Sequence, residues 1–207
     1  VSETQPKPAF FTGLDLGRES DFTALAVVEK TVVPDPDRQG KTVTHLAARH
    51  LQRFELGTPY PKVVDAVVGL FAEAPLSGST LVIDETGVGA AVVDMFRAAK
   101  PKATLKPFSI TSGLKPSDTT VPKKDLVGAV QAALQTRRLK IAEGLLLAGT
   151  LAKELENFRV KITPDRNETY ANWRERDHDD LVLALALPVW LASRPRVVIV
   201  LPDGRIV

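Results

Sequence analysis

The sequence predicts an α/β domain in which a mixed central sheet, opened by a three-strand antiparallel meander and continued by βα units, carries helices on both faces. Three observations predict it. Early segments alternate apolar and polar residues between turn signals; later segments switch between helical spacing and short apolar runs. The length of 207 residues allows one full core but not two large lobes.

Residues 1–8 read as an unstructured leader or cut linker, leaving 9–207 as the domain. The first strand runs from Ala9 to Asp15 and the second from Phe22 to Glu29, with Gly17 to Asp21 as a tight connection. Pro34, Pro36 and Gly40 mark the next turn, and Lys41 to Phe54 alternates as a third antiparallel strand. Thr58-Pro59 is a helix-start signal, and Val63, Val64, Val67, Val68 and Phe71 follow at helical spacing.

Gly78 breaks the chain before Leu81-Val82-Ile83, a short apolar run ending at Asp84 that suits a buried parallel strand. Gly87 and Gly89 lead into a helix through Val92, Val93 and Phe96, then a strand near Leu105 to Ile110. A Gly/Ser/Pro/Thr-rich loop from Thr111 to Pro122 precedes a helix carrying Leu126, Val130 and Leu134. Leu139 to Ala142 reads as a brief edge strand and Leu151 to Phe158 as a helix. Phe158 to Trp173 alternates around Pro164-Asp165-Arg166-Asn167 as an auxiliary β-hairpin. Asp179 starts an apolar helix through Leu187, and Val197 to Val207 resembles a small hairpin around Asp203-Gly204.

Composition narrows the chemistry. With no cysteine, disulfides, thiolate zinc sites and cysteine nucleophiles are excluded. His45 and His50, an odd number of positions apart on one strand, are expected to face opposite ways and so make poor joint ligands. What remains is carboxylate chemistry, which favours hard cations such as magnesium and manganese. The longest apolar run, Leu181 to Trp190, is half a membrane span, and the start shows no secretory signal, so a cytoplasmic protein with no membrane partner is expected.

Charge is uneven. Between Arg97 and Lys140 there are ten basic residues against two acidic ones, a local +8 in a chain whose net charge is +2. Such a sector suits a polyanion, although solvated lysines on helix ends and loops would give the same count.

Three acidic groups stand out. Asp15 shares a strand face with Gly13 and Gly17, which leaves room beside it for an ion and a phosphate, and a buried carboxylate there is explicable if a cation compensates it. A turn-capping aspartate is the plainer alternative. Asp84 lies at the carboxyl end of a strand, where ligands gather in such sheets; an N-cap role for Asp84 or Glu85 is its alternative. Asp177-His178-Asp179-Asp180 opens the last apolar helix, where capping accounts for one or two carboxylates but not three. Adjacent helical residues point about 100° apart, which favours Asp180 as a ligand, with Asp179 a second ligand or the cap.

In their order along the chain these groups resemble the site of ribonuclease H-like nucleases. Gly13 to Glu29 (GLDLGRESDFTALAVVE), Val82 to Gly89 (VIDETGVG) and His178 to Leu187 (HDDLVLALAL) are similar to the three nuclease motifs in the C-terminal half of tailed-phage large terminases. The resemblance implies a ribonuclease H-like fold in which Asp15, Asp84 and Asp180, with Asp179 adjacent, hold one or two Mg²⁺ or Mn²⁺ ions. It departs at Leu183, where many relatives carry a further acidic residue. No G-x-x-x-x-G-K-[ST] sequence is present, so the chain would be the nuclease part without the packaging ATPase.

The activity so implied is metal-dependent cutting of double-stranded DNA with little sequence specificity, as when concatemeric viral DNA is cleaved during packaging. Implied partners are an N-terminal packaging ATPase domain, a portal protein and a small terminase subunit. Lys115, Lys123, Lys124 and Arg138 are candidate phosphate contacts, and Lys161 and Arg166 on the expected hairpin extend the set. A Holliday-junction resolvase-like nuclease shares the metal logic; an actin-like ATPase fragment or a non-catalytic DNA-binding module fits less well.

Overall fold

The computed structural model describes residues 7–17, 21–113, 115–157 and 179–194. The expected auxiliary hairpin from Phe158 to Trp173, the hairpin from Val197 to Val207 and most of the leader lie outside them.

Seven strands form the sheet: β1 (Ala9–Asp15), β2 (Ala24–Pro34), β3 (Thr42–Arg53), β4 (Thr80–Asp84), β5 (Thr104–Thr111), β6 (Thr120–Pro122) and β7 (Leu139–Ile141). Their order across the sheet is β6-β5-β4-β1-β2-β3-β7. The β1-β2-β3 meander is antiparallel, while β4, β5 and β6 continue from β1 in parallel and β7 adds in parallel to β3. The helices are α1 (Tyr60–Leu70), α2 (Gly89–Ala99), α3 (Lys123–Gln135), α4 (Ala148–Asn157) and α5 (Asp180–Ser193).

Strand alternation sorts the core into two layers. Leu14, Leu25, Val27, Leu81 and Ile83 point to one face, where Val63, Val64 and Val67 of α1 and Val92, Val93 and Phe96 of α2 cover them. Ala24, Ala26, Val28, Val82 and Phe108 point to the other, under α3, α4 and α5. Helix α5 is apolar nearly all round because it is wrapped by β1, β2, α3 and α4 rather than lying at the surface. Its Trp190 meets Phe108 edge-to-face at 5.2 Å.

Three local expectations change. Strand β2 runs on to Pro34, because its pairing with β3 continues as far as Pro34 opposite Thr42. Within the expected loop from Thr111 to Pro122, Thr120 to Pro122 adds to β5 as a short strand. Helix α5 passes through Pro188 to Ser193 instead of stopping at Leu187. The proline leaves the Ala184 carbonyl without its usual helical donor. That carbonyl and the proline ring lie over Gly13, where a Cβ would fall 2.0 Å from Ala184 O and 2.4 Å from Pro188 Cδ.

The histidines change too. A bulge at Val27/Val28 sets His45 opposite Thr31 and His50 opposite Val27, an even separation, so the two register on the same face rather than opposite ones. Four β2 positions still separate them, about 13 Å, too far for a shared ion.

Candidate functional site

One rung of the sheet positions the site. Phe108, Asp84, Asp15, Ala24 and Arg53 lie side by side across β5, β4, β1, β2 and β3, all on the α5 face. The Asp84–Asp15 step follows from the β1–β4 register, which pairs Leu14 with Ile83 one residue earlier. Neighbouring strands are about 4.8 Å apart, so two carboxylates stand next to each other, and a small alanine separates them from a guanidinium. Helix α5 begins over this rung with Asp180. Asp15, Asp84, Asp180 and Glu154 of α4 are the buried carboxylates among the described residues, with exposures of 7%, 5%, 4% and 8%.

Each is held by identifiable means. Asp84 Oδ1 accepts hydrogen bonds from the backbone N–H and the hydroxyl of Thr86, and Thr86 Oγ1 in turn accepts the Ile110 N–H at 2.9 Å. Gly87 takes a positive φ of 67°, and Gly89 lets α2 start against the strand end, since a Cβ there would meet Asp84 O at 2.3 Å. The N-cap of α2 is therefore Val88, and neither Asp84 nor Glu85 caps that helix.

The third group is arranged differently. Asp179 occupies the N-cap position of α5 but makes no side-chain cap bond, so the expected capping role is corrected. Glu154 supplies the cap instead: its Oε2 accepts the N–H groups of Leu181 and Val182 at 3.1 and 3.2 Å. Its other oxygen pairs with Arg53, whose Nη2 also reaches Asp180 Oδ2 at 3.3 Å. The guanidinium lies 4.7 Å from the centre of the Phe22 ring. Burial pushes the Glu154 carboxyl up to about 7, outweighing the pull of Arg53 and of the two N–H groups. Asp179 pairs with Lys123 at 3.5 Å.

Sequence reasoning missed Arg53, Glu154 and Thr86. Thr86 follows Asp84 by two, the spacing of an Asx turn, and was readable. Glu154 falls three residues after Leu151, an acid inside the apolar stripe of its helix, which is also a signal. Arg53 carries none, since an arginine at a strand end is ordinary.

The space expected beside Asp15 is already filled. The α5 backbone occupies the place over Gly13, and the Asp21–Phe22 backbone occupies that at Gly17, where a Cβ would meet Asp21 O at 2.2 Å. Of the basic residues, Lys124 and Lys115 are exposed. Lys123 is mostly buried against Asp179, so it is a partner of the acidic site before it is a surface phosphate contact. Arg138 precedes β7, whose Leu139 pairs with Leu46, seven β3 residues short of Arg53; the fold carries it toward the opposite end of the strands. Lys161 and Arg166 lie outside the described residues.

The donor set fits a hard divalent cation in its chemistry, being carboxylates throughout (Asp15, Asp84, Asp179, Asp180, Glu154), with Arg53 paired to Glu154 and Asp180 and Lys123 to Asp179. Among those residues, however, no three acidic or histidine side chains are gathered closely enough to form a ready-made cage. The rung explains why. Asp180 turns toward Arg53 on β3, whereas Asp15 and Asp84 sit one and two strands further across from Ala24.

A meander β3-β2-β1 continued in parallel by β4 and β5, acidic at the strand ends and crossed by a buried helix, defines a ribonuclease H-like domain. The chain belongs to the terminase RNaseH-like domain family, whose model matches residues 76–188. Among solved structures, it is similar to the large terminase nuclease from the thermophilic phage G20c. The match has 23% identity and a TM-score of 0.59, over 89% of this chain and 82% of that one. The structure of that nuclease with bound zinc matches at 22% identity and a TM-score of 0.54, over 89% and 81%. No curated protein sequence matches.

Proposed function

We propose that the domain is a metal-dependent endonuclease that cuts double-stranded DNA with little sequence specificity, as in the cleavage of concatemeric viral DNA during genome packaging. The observation that carries this reading is the pair of buried carboxylates, Asp15 and Asp84, adjacent at their strand ends beneath the acidic start of α5. Asp15, Asp84 and Asp180, with Asp179 beside them, would hold one or two Mg²⁺ or Mn²⁺ ions. The similar nuclease solved with zinc is in keeping with a divalent ion. When bound, such ions supply a polarised water for in-line attack on the phosphodiester and offset the charge on the departing 3′ oxygen.

The chain's own contribution is orientation. Thr86 fixes one oxygen of Asp84 and so aims the other. Glu154 anchors the start of α5, which keeps Asp180 over the rung. Lys124 and Lys115, exposed beside the ends of β5 and β6, hold phosphates without reading bases, and Lys161 and Arg166 remain candidates for the same contact by their charge. Within a terminase the domain acts beside the packaging ATPase, with the portal and small subunit as partners.

Plasmid cleavage with Mg²⁺, Mn²⁺ or chelator tests this, beside Asp15→Asn, Asp84→Asn and Asp180→Asn. The expected result is metal-dependent cutting at many sequences, lost in all three variants. Cutting that persists in chelator, or in two of the variants, refutes it.

A further inference from the structure

Arg53 belongs to the same rung as the two strand carboxylates, and its guanidinium is engaged by carboxylates of α4 and α5. It is also unusually constrained. The side chain is only 17% exposed, lies against the Phe22 ring, and has an Nε with no hydrogen-bond partner among the described residues. One nitrogen, Nη2, serves both Glu154 and Asp180, and the contact to Asp180, at 3.3 Å, is the longer.

We propose that Arg53 is the resident counter-ion of the third carboxylate: its guanidinium balances Asp180 until a divalent ion takes that carboxylate over, while Glu154 retains the guanidinium. This rests on the metal-dependent reading above.

Three physical arguments support the exchange. Buried carboxylates left without a cation are costly, so a site that must persist before metal arrives needs a compensating charge. Arginine suits that task because it stays charged and is weakly hydrated. The exchange centres on one side chain, that of Asp180. Glu154 holds the Leu181 and Val182 N–H groups, so the backbone at Asp180 stays in place while its carboxylate rotates from the β3 side toward Asp15 and Asp84. Arg53 need not follow, because Glu154 and Phe22 hold it on β3. Glu154 and Arg53 are thus positioning residues with opposite effects. Arg53 competes with the ion for Asp180, and Glu154 weakens that competition by drawing the guanidinium to itself.

The test measures Mn²⁺ binding to the 207-residue chain without DNA, by the electron paramagnetic resonance of free Mn²⁺, with thermal melting in chelator as a check on folding. Arg53→Gln should bind Mn²⁺ on the order of tenfold more tightly, as expected when a unit charge is removed a few ångströms from the ion. It should melt lower in chelator and gain more from added Mn²⁺ than the wild type. Arg53→Lys, which keeps a cation, should bind near the wild-type level. Glu154→Gln should bind severalfold more weakly, because the guanidinium then turns wholly to Asp180. Adding Asp180→Asn to Arg53→Gln should remove the gain.

Opposite signs for Arg53→Gln and Glu154→Gln cannot come from plain loss of stability, which would weaken binding in both. If both weaken binding, or neither alters it while Asp84→Asn abolishes it, the counter-ion role is wrong and the nuclease reading stands. If the wild type binds no Mn²⁺, both fall. Should Arg53→Gln fail to fold, Glu154→Gln binding as well as or better than the wild type overturns the proposal.

Discussion

The two faces of the sheet are built from the same strands by the same alternation, yet they do different work. On the α1/α2 face Leu14 and Ile83 sit beside each other in an uncharged, mostly apolar layer with Val63, Val92 and Phe96. One residue further along the same two strands, the side chains turn to the α5 face and are Asp15 and Asp84. The first face spends its burial on stability. The second gives up apolar contact at one end to bury two adjacent carboxylates, the arrangement on which the proposed cation site rests.

This contrast can be broken at its acidic end first. Asp84→Asn should lower plasmid cleavage by at least about a hundredfold, since the proposed function makes it a metal ligand. Its thermal midpoint in chelator should stay level or rise, because a buried charge disappears. An equal fall in stability and cutting would make Asp84 a structural aspartate.

Gly13→Ala tests how tightly the acidic face is closed. A Cβ 2.0 Å from Ala184 O must push α5 off the sheet, at a cost of about 3 kcal/mol in denaturant unfolding. Cutting should fall as well, because Asp180 travels with that helix. On the opposite face, Phe96→Leu should cost only about 1 kcal/mol and leave cleavage by the folded fraction unchanged. The smallest effect is expected in α1: Gly69→Ala meets nothing within 4 Å and should stabilise by about 0.5–1 kcal/mol.

The acidic end should also give the domain a pH signature that the apolar face lacks. Glu154 ionises near 7 in the folded chain against 4.5 for the free group. Between these values the folded state binds more protons than the unfolded one, so its stability falls as the pH rises through that window. Melting in metal-free buffer from pH 4.5 to 7.5 should show the decline, and Glu154→Gln should flatten it. An unchanged slope in that variant would assign the decline to other groups.

Much of the fold was legible because its signals are local. The meander, the apolar run before Asp84 and the spacing of Val63, Val64 and Val67 lie within single segments, as do the three acidic positions. Expectations failed where a partner far along the chain decides. The parity of His45 and His50 was reversed by one bulge against β2. The last helix was expected to run through Leu187, but α5 goes on past Pro188, which packs on Gly13. The glycines flanking Asp15 read as open space, and backbone from elsewhere fills them.

Sequence by itself determined which residues carry charge, which strands and helices they end or begin, and the family pattern they form. Tertiary structure alone decided how that charge is balanced. Arg53 meets Asp180 across 127 residues, and Glu154 caps a helix that starts 26 residues after it. The reason is physical: alternation and helical spacing are set by backbone geometry over a few residues, whereas a buried carboxylate takes its partner from whichever segment the folded core brings within reach.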